Sequence, residues 1–185
     1  MIFSETPLVG AYLIDIEPIE DVRGFFARSF CKNEFTVHGL QSEFVQCNIA
    51  SNYKKGTLRG MHYQLEPYAE VKLVRCIRGS IYDVVIDLRE KSSTFKKWFS
   101  VELSAGNCKM LYVPEGFAHG YQTLTDDTEV FYQVSEFYQP NYERGIRWDD
   151  GNFDIQWPLQ EKIISSKDRN WDIFNGKHSE PCARG

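Results

Sequence analysis

Within nine residues, Gly56-Thr-Leu-Arg-Gly-Met-His-Tyr-Gln64, the chain sets a permanent cation (Arg59), a glycine (Gly60) and a side chain of near-neutral reference pKa (His62). On an extended backbone, alternation puts Gly60, His62 and Gln64 on one face and Met61 and Tyr63 on the other. A histidine beside an arginine suits proton transfer next to an anionic substrate. A lone histidine also fits an ordinary hydrogen-bonded core position, so its partners must decide.

The histidines are His38, His62, His119 and His178, and two of them, His62 two residues after Gly60 and His119 beside Gly120, stand in strand-like sequence. Neither is part of an HxH pair or has a carboxylate at ligand spacing, so no metal site is expected. No serine or cysteine sits in a nucleophile elbow. Proton abstraction α to a carbonyl fits better, because it needs a base, a cation for the enolate and an acid for the return step. His62, Lys72 and Tyr132 supply those types. In the strand pattern Lys72 shares a face with Val74 and Cys76, and Tyr132 shares one with Val130 and Val134. A lysine in an apolar row either snorkels or is a partly desolvated ammonium with a task. Gln46 and Asn48 form a second polar row with Phe44. Arg23, in Asp21-Val-Arg-Gly-Phe-Phe26, reads on spacing alone as a surface arginine.

The elements that must position these groups read as strands. Val9–Ile16, the stretch from Phe44, Val71–Cys76, Ile81–Leu88, Thr94–Leu103, Met110–Val113, Phe117–Tyr121 and Val130–Ser135 alternate or run apolar between Gly, Pro and Asn turns. One short helix is expected from Lys32, closed by Gly39, and another near the C-terminus between Glu161 and Trp171. Short strands at roughly ten-residue spacing predict an all-β sandwich or barrel of jelly-roll type with a short C-terminal helical segment. A length of 185 residues fits one domain over 1–185, and the terminal stretch from Asn175 to Gly185 is expected to fray.

A net charge of -5 advertises no nucleic-acid partner. No apolar run reaches membrane-spanning length, and the N-terminal residues do not read as a signal peptide. Five scattered cysteines without a CxxC pair suggest reduced thiols and a cytoplasmic location.

Motifs along nearly the whole chain resemble the dTDP-4-dehydrorhamnose 3,5-epimerase family. They include Asp21-Val-Arg-Gly-Phe-Phe26, Gln46-Cys-Asn48, Gly56–Gln64, Lys72-Leu-Val-Arg-Cys76 and Gly79-Ser-Ile-Tyr-Asp83. Further on come Pro114-Glu-Gly-Phe-Ala-His-Gly120, Tyr132, Tyr138, Glu143, Trp148-Asp149-Asp150, Trp157-Pro158 and Ser166-Lys-Asp168. The resemblance implies a cupin-like jelly-roll homodimer with no metal or cofactor, acting on a dTDP-linked 4-keto-6-deoxyhexose and inverting C3, C5 or both. It implies His62 as base, Asp168 as its orienting partner, Tyr132 as acid and Lys72 as enolate stabiliser. It places Arg59 and His119 around substrate and pyrophosphate, and Arg23 at the diphosphate from a partner subunit. Gln46 and Asn48 would hold nucleotide or sugar, Tyr138 would stack on the base, and Glu143 and Lys167 would complete the pocket. The stretch Tyr12 to Ile16 is the candidate exposed strand for subunit exchange.

Three positions depart from the family pattern. Arg28 stands where a glutamate is usual, Glu70 where a glutamine is usual, and Gln133 where lysine commonly follows the tyrosine. Arg28 and Glu70 keep a single-centre epimerase of a CDP-linked sugar in view as an alternative. A non-catalytic sugar-binding jelly roll is the reading from another class.

Overall fold

A computed structural model of the chain describes residues 1–176. His178, Cys182 and all but Asn175 and Gly176 of the stretch expected to fray lie outside the described residues. The strands run β1 (Ile2–Glu5), β2 (Tyr12–Asp15), β3 (Ile19–Asp21) and β4 (Gly24–Phe26), followed by helix α1 (Lys32–Val37). Next come β5 (Gln46–Asn52), β6 (Thr57–Gln64), β7 (Lys72–Arg78), β8 (Ser80–Asp87) and β9 (Trp98–Ser104). After them lie β10 (Met110–Val113), β11 (Phe117–Thr123), β12 (Thr128–Val134), β13 (Glu143–Gly145), β14 (Ile163–Ile164) and helix α2 (Ser166–Arg169).

One sheet has the order β1-β2-β10-β7-β12-β5, and the other has β13-β6-β11-β8-β9 with β14 added parallel to β6. Sequence neighbours β5 and β6, or β11 and β12, fall in different sheets. That crossing between two antiparallel layers is the jelly-roll pattern the sequence led us to expect.

Three apolar clusters hold the layers. Val74, Val85, Leu111 and Val130 are among those that meet between the sheets. The outer face of the second sheet carries Met61, Val84, Ile86 and Leu88, and the chain after β13 covers it with Ile146, Phe153 and Phe174. Strand β8 is therefore buried on both faces, which is why even Asp83 and Asp87 are fully enclosed. Helix α1 lays Phe35 on the outer face of β2, β10 and β7, against Ile14, Leu73 and Met110. Each such side chain, fully buried, contributes roughly 1.5–3 kcal/mol.

Two expectations about the early and middle strands change. Tyr12 to Ile16 is no exposed strand: β2 lies between β1 and β10, with Ile14 and Ile16 buried. The strand expected from Thr94 begins instead at Trp98. Thr94 stays in the preceding turn because its hydroxyl donates to the buried Asp87 carboxylate at 2.6 Å.

Candidate active site

The stretch Gly56–Gln64 is β6 with the end of its preceding turn, and strict alternation does not describe it. His62 pairs with His119 of β11, but Arg59 pairs with Tyr121, so two residues of β6, Gly60 and Met61, stand opposite the single Gly120. This bulge turns Arg59 and His62 to the same cavity although they are three residues apart. It depends on two glycines meeting. A Cβ on Gly60 (φ +120) would lie 2.6 Å from the Gly120 Cα, and one on Gly120 would lie 2.7 Å from both Arg59 O and Met61 Sδ. The Gly60–Met61 peptide is cis.

On this wall His62 Nε2 lies 2.6 Å from Asp168 Oδ1. The carboxylate comes from α2, 106 residues later in the chain, where the Ser165 side chain caps the helix by accepting from the Asp168 N–H at 3.0 Å. Asp168 also accepts from Trp171 Nε1 at 3.3 Å and from the Gly60 N–H at 3.5 Å. Burial pushes its carboxyl upward, but the His62 hydrogen bond and charge, with the Gly60 and Ser165 contacts, hold it below the usual aspartate value. The Asp168 side chain is 6% exposed and that of His62 30%, so the pair keeps its carboxylate inside and its imidazole open to the cavity.

The facing wall comes from the other sheet. Across β5, β12 and β7, Asn48, Tyr132 and Val74 stand in one row and Gln46, Val134 and Lys72 in the next. The rows expected for Lys72 and Tyr132 are therefore the rows observed. Lys72 Nζ donates to His62 O at 3.3 Å and pairs with Glu70 Oε1 at 3.1 Å, linking the two walls. Burial raises the Tyr132 phenol above its ordinary value; Glu70 and Glu143 raise it further, while Arg59 pulls it down. It is a protonated phenol at neutral pH, able to donate.

Arg59, His62, Lys72, His119, Tyr132 and Asp168 all line one cavity. A second opening, continuous through His62, Lys72 and Tyr132, is lined by Gln46, Asn48, Glu70, Tyr138 and Glu143. Glu143 ties its rim: it accepts from Tyr138 Oη and from Lys167 Nζ, each at 2.6 Å. Hydrogen bonding to Glu143 drives the Tyr138 phenol up to about 12. Arg23 stands apart. It is ion-paired with Asp21 on the β3–β4 hairpin with 86% of its side chain exposed, and lines neither opening.

Three further residues shape the site. Asn52 Oδ1 accepts from Arg59 Nε at 2.8 Å, fixing the cation; continuing the Gln46, Asn48 alternation by two steps each time reaches it. Asp83 Oδ1 lies 2.7 Å from His119 Nε2, a second histidine–aspartate pair, and an acid in the apolar β8 run was its signal. Trp171 backs His62, with ring centroids 6.1 Å apart. Among the described residues no group of three or more His, Cys, Asp and Glu side chains is arranged to hold a metal ion.

The two-layer roll defines a cupin-like jelly roll whose cavity is lined by titratable side chains from both sheets. Residues 5–176 match the family model described as dTDP-4-dehydrorhamnose 3,5-epimerase. The chain is 46% identical over 171 residues to the dTDP-4-dehydrorhamnose 3,5-epimerase of Shigella flexneri, covering 92% of this chain and 94% of that one. The Bacillus anthracis dTDP-4-dehydrorhamnose 3,5-epimerase, solved with TDP and PPi bound, superimposes with a TM-score of 0.91 at 40% identity, covering 94% and 99%. ChmJ, a 3'-monoepimerase from Streptomyces bikiniensis solved with dTDP-quinovose, matches with a TM-score of 0.84 at 31% identity, covering 90% and 84%. The chain belongs to the dTDP-4-dehydrorhamnose 3,5-epimerase family.

Proposed function

We propose that this protein is an isomerase that inverts C3, C5 or both in a dTDP-linked 4-keto-6-deoxyhexose, in deoxysugar biosynthesis of the rhamnose type. The observation that carries the reading is the His62–Asp168 pair on one wall with Lys72 and Tyr132 on the other. His62 removes the proton α to the 4-keto group, and Asp168 stabilises the imidazolium that forms. The Lys72 ammonium stabilises the enolate oxygen. Tyr132 delivers a proton to the opposite face, which inverts the carbon. Repetition at the second α carbon gives the double epimer.

Arg59 and His119 hold the pyrophosphate end, while Gln46, Asn48, Tyr138, Glu143 and Lys167 take the sugar and nucleotide along the second opening. The nucleotide-bound relatives favour dTDP over CDP as carrier. The test is incubation with dTDP-4-keto-6-deoxyglucose in deuterated water. Label at C3 and C5 supports double inversion and label at one carbon single inversion. No label from folded protein with any nucleotide sugar would sink the reading. The likeness to the 3'-monoepimerase makes the single-carbon outcome the second reading.

The whole chain acts as one domain in this account, and as a homodimer. Val45, Cys47 and Ile49 on and beside edge strand β5 are exposed, Ile49 to 67%. The hairpin that carries Arg23 also exposes Ile19, Phe25 and Phe26. Burial of these apolar surfaces against a second copy, with Arg23 entering the partner's site, would add a second arginine to Arg59 at the diphosphate. Sizing in solution tests the dimer. Free thiols at Cys31, Cys47, Cys76 and Cys108 and a nucleotide-sugar substrate both suit the cytoplasm. Among the described residues no helix is long and apolar enough to cross a membrane.

A further inference from the structure

Between the Tyr132 wall and the second opening lies a carboxylate that the proton-transfer scheme does not use. Glu70 precedes β7, and only 11% of its side chain is exposed. Its Oε1 sits 3.1 Å from Lys72 Nζ, and its Oε2 accepts from Gln64 Nε2 at 3.3 Å. Gln64 is itself fixed: its Nε2 also donates to Tyr68 O at 2.9 Å, and its Oε1 accepts from the Gln139 N–H at 2.6 Å. Glu70 is thus held from behind by a buried amide anchored to two loops.

We propose that Glu70 is a positioning residue of the proton-transfer site, clamping the Lys72 ammonium between the two walls and offsetting the positive charge gathered around Tyr132. The inference rests on the roles given above to Lys72 and Tyr132. Lys72 has three N–H bonds; Glu70 and His62 O take two, which leaves one available for the enolate oxygen. An enclosed ammonium without a counter-ion is costly to bury, and Glu70 removes that cost. Besides Glu70, the charged and titratable groups sharing the two openings with Tyr132 are Arg59, His62 and Tyr63 from β6, Lys72 from β7, His119 and Tyr121 from β11, Tyr138, Glu143 from β13 and Asp168 from α2. Asp168 is paired to His62, and Glu143 to Lys167 and Tyr138. Glu70 is the carboxylate that balances Lys72. It also helps keep the Tyr132 phenol protonated, as the acid of the reaction must be.

The test is Glu70→Gln, which keeps the shape and an acceptor for Lys72 but removes the charge. Ionisation of Tyr132 is read by ultraviolet titration as the difference between each protein and its Tyr132→Phe counterpart. The midpoint is expected to fall by about one pH unit. The alkaline limb of the kcat/KM profile for epimerisation should move down with it, and Glu70→Asp should restore both. A purely structural Glu70 would lower activity without moving either midpoint, and an unchanged Tyr132 midpoint overturns the proposal. Glu70→Ala gives the same reading if the amide variant does not fold. A wild-type protein inert towards every nucleotide sugar would refute the proposed function, while the titration would still decide the role of Glu70.

Discussion

Two histidine–aspartate pairs stand side by side on the second sheet, His62 with Asp168 and His119 with Asp83, at 2.6 and 2.7 Å. The two histidines are direct partners across β6 and β11. What separates them is how each aspartate is held. Asp83 sits on a central strand buried on both faces, and among the described residues its Oδ2 has no hydrogen-bond partner. Asp168 sits on a capped helical turn, and its oxygens take contacts from His62, Trp171 and Gly60. The His119 side chain is 10% exposed and that of His62 30%. Similar contacts thus leave one imidazole anchored in the wall and the other more open to the cavity, which suits the base of the proposed reaction. Hydrogen-bond length alone does not identify a base; access and the satisfaction of its partner do.

The largest effect that sharpens this contrast is at the histidines themselves. His62→Ala is expected to lower the rate of deuterium exchange by about 10²–10⁴-fold with nucleotide binding retained, the range of general-base removal. His119→Ala is expected to cost about tenfold and mainly in KM, as loss of a binding contact does. Equal losses of kcat in the two variants would erase the distinction. Next in size, Asp168→Asn keeps the shape but not the charge that steadies the imidazolium, and a fall in kcat of about 10²-fold is expected by steady-state assay.

Gly120→Ala tests the bulge that brings Arg59 and His62 together. Its Cβ would meet backbone and the Met61 sulfur at 2.7 Å, so a loss of about 1–3 kcal/mol in denaturant unfolding is expected. An unchanged midpoint would mean that the strands separate without cost. The smallest effect is in stability against pH. The Asp168 carboxyl is held below its ordinary value, so its folded-state stabilisation is complete above the usual aspartate range and lost as pH falls through the depressed value. Measured by urea unfolding, the stability gap between wild type and Asp168→Asn should therefore be full at neutral pH and shrink only in acid.

The sequence carried the layered β architecture and the inward rows of the first sheet because those follow simple alternation. Lys72 with Val74, and Gln46 with Asn48, came out as read. The cavity wall on β6 did not, because a bulge breaks the period and no spacing rule announces it; alternation alone sets Arg59 and His62 on opposite faces. Asp168 lies too far along the chain for any local pattern to pair it with His62, and only the family likeness pointed there. Arg23 shows the opposite limit: the likeness named it, yet the single chain leaves it on an exposed hairpin. Asp83 and Asn52 were legible in principle, as an acid in an apolar run and as the continuation of an amide row.

The central claim is that His62 and Tyr132 work on opposite faces of one carbon. The most direct measurement follows label and product together in deuterated water with Tyr132→Phe. The account predicts that His62, open to solvent on its side, still exchanges the α proton with retention, while the inverted sugar does not form. Inverted product at the wild-type rate from Tyr132→Phe would contradict it.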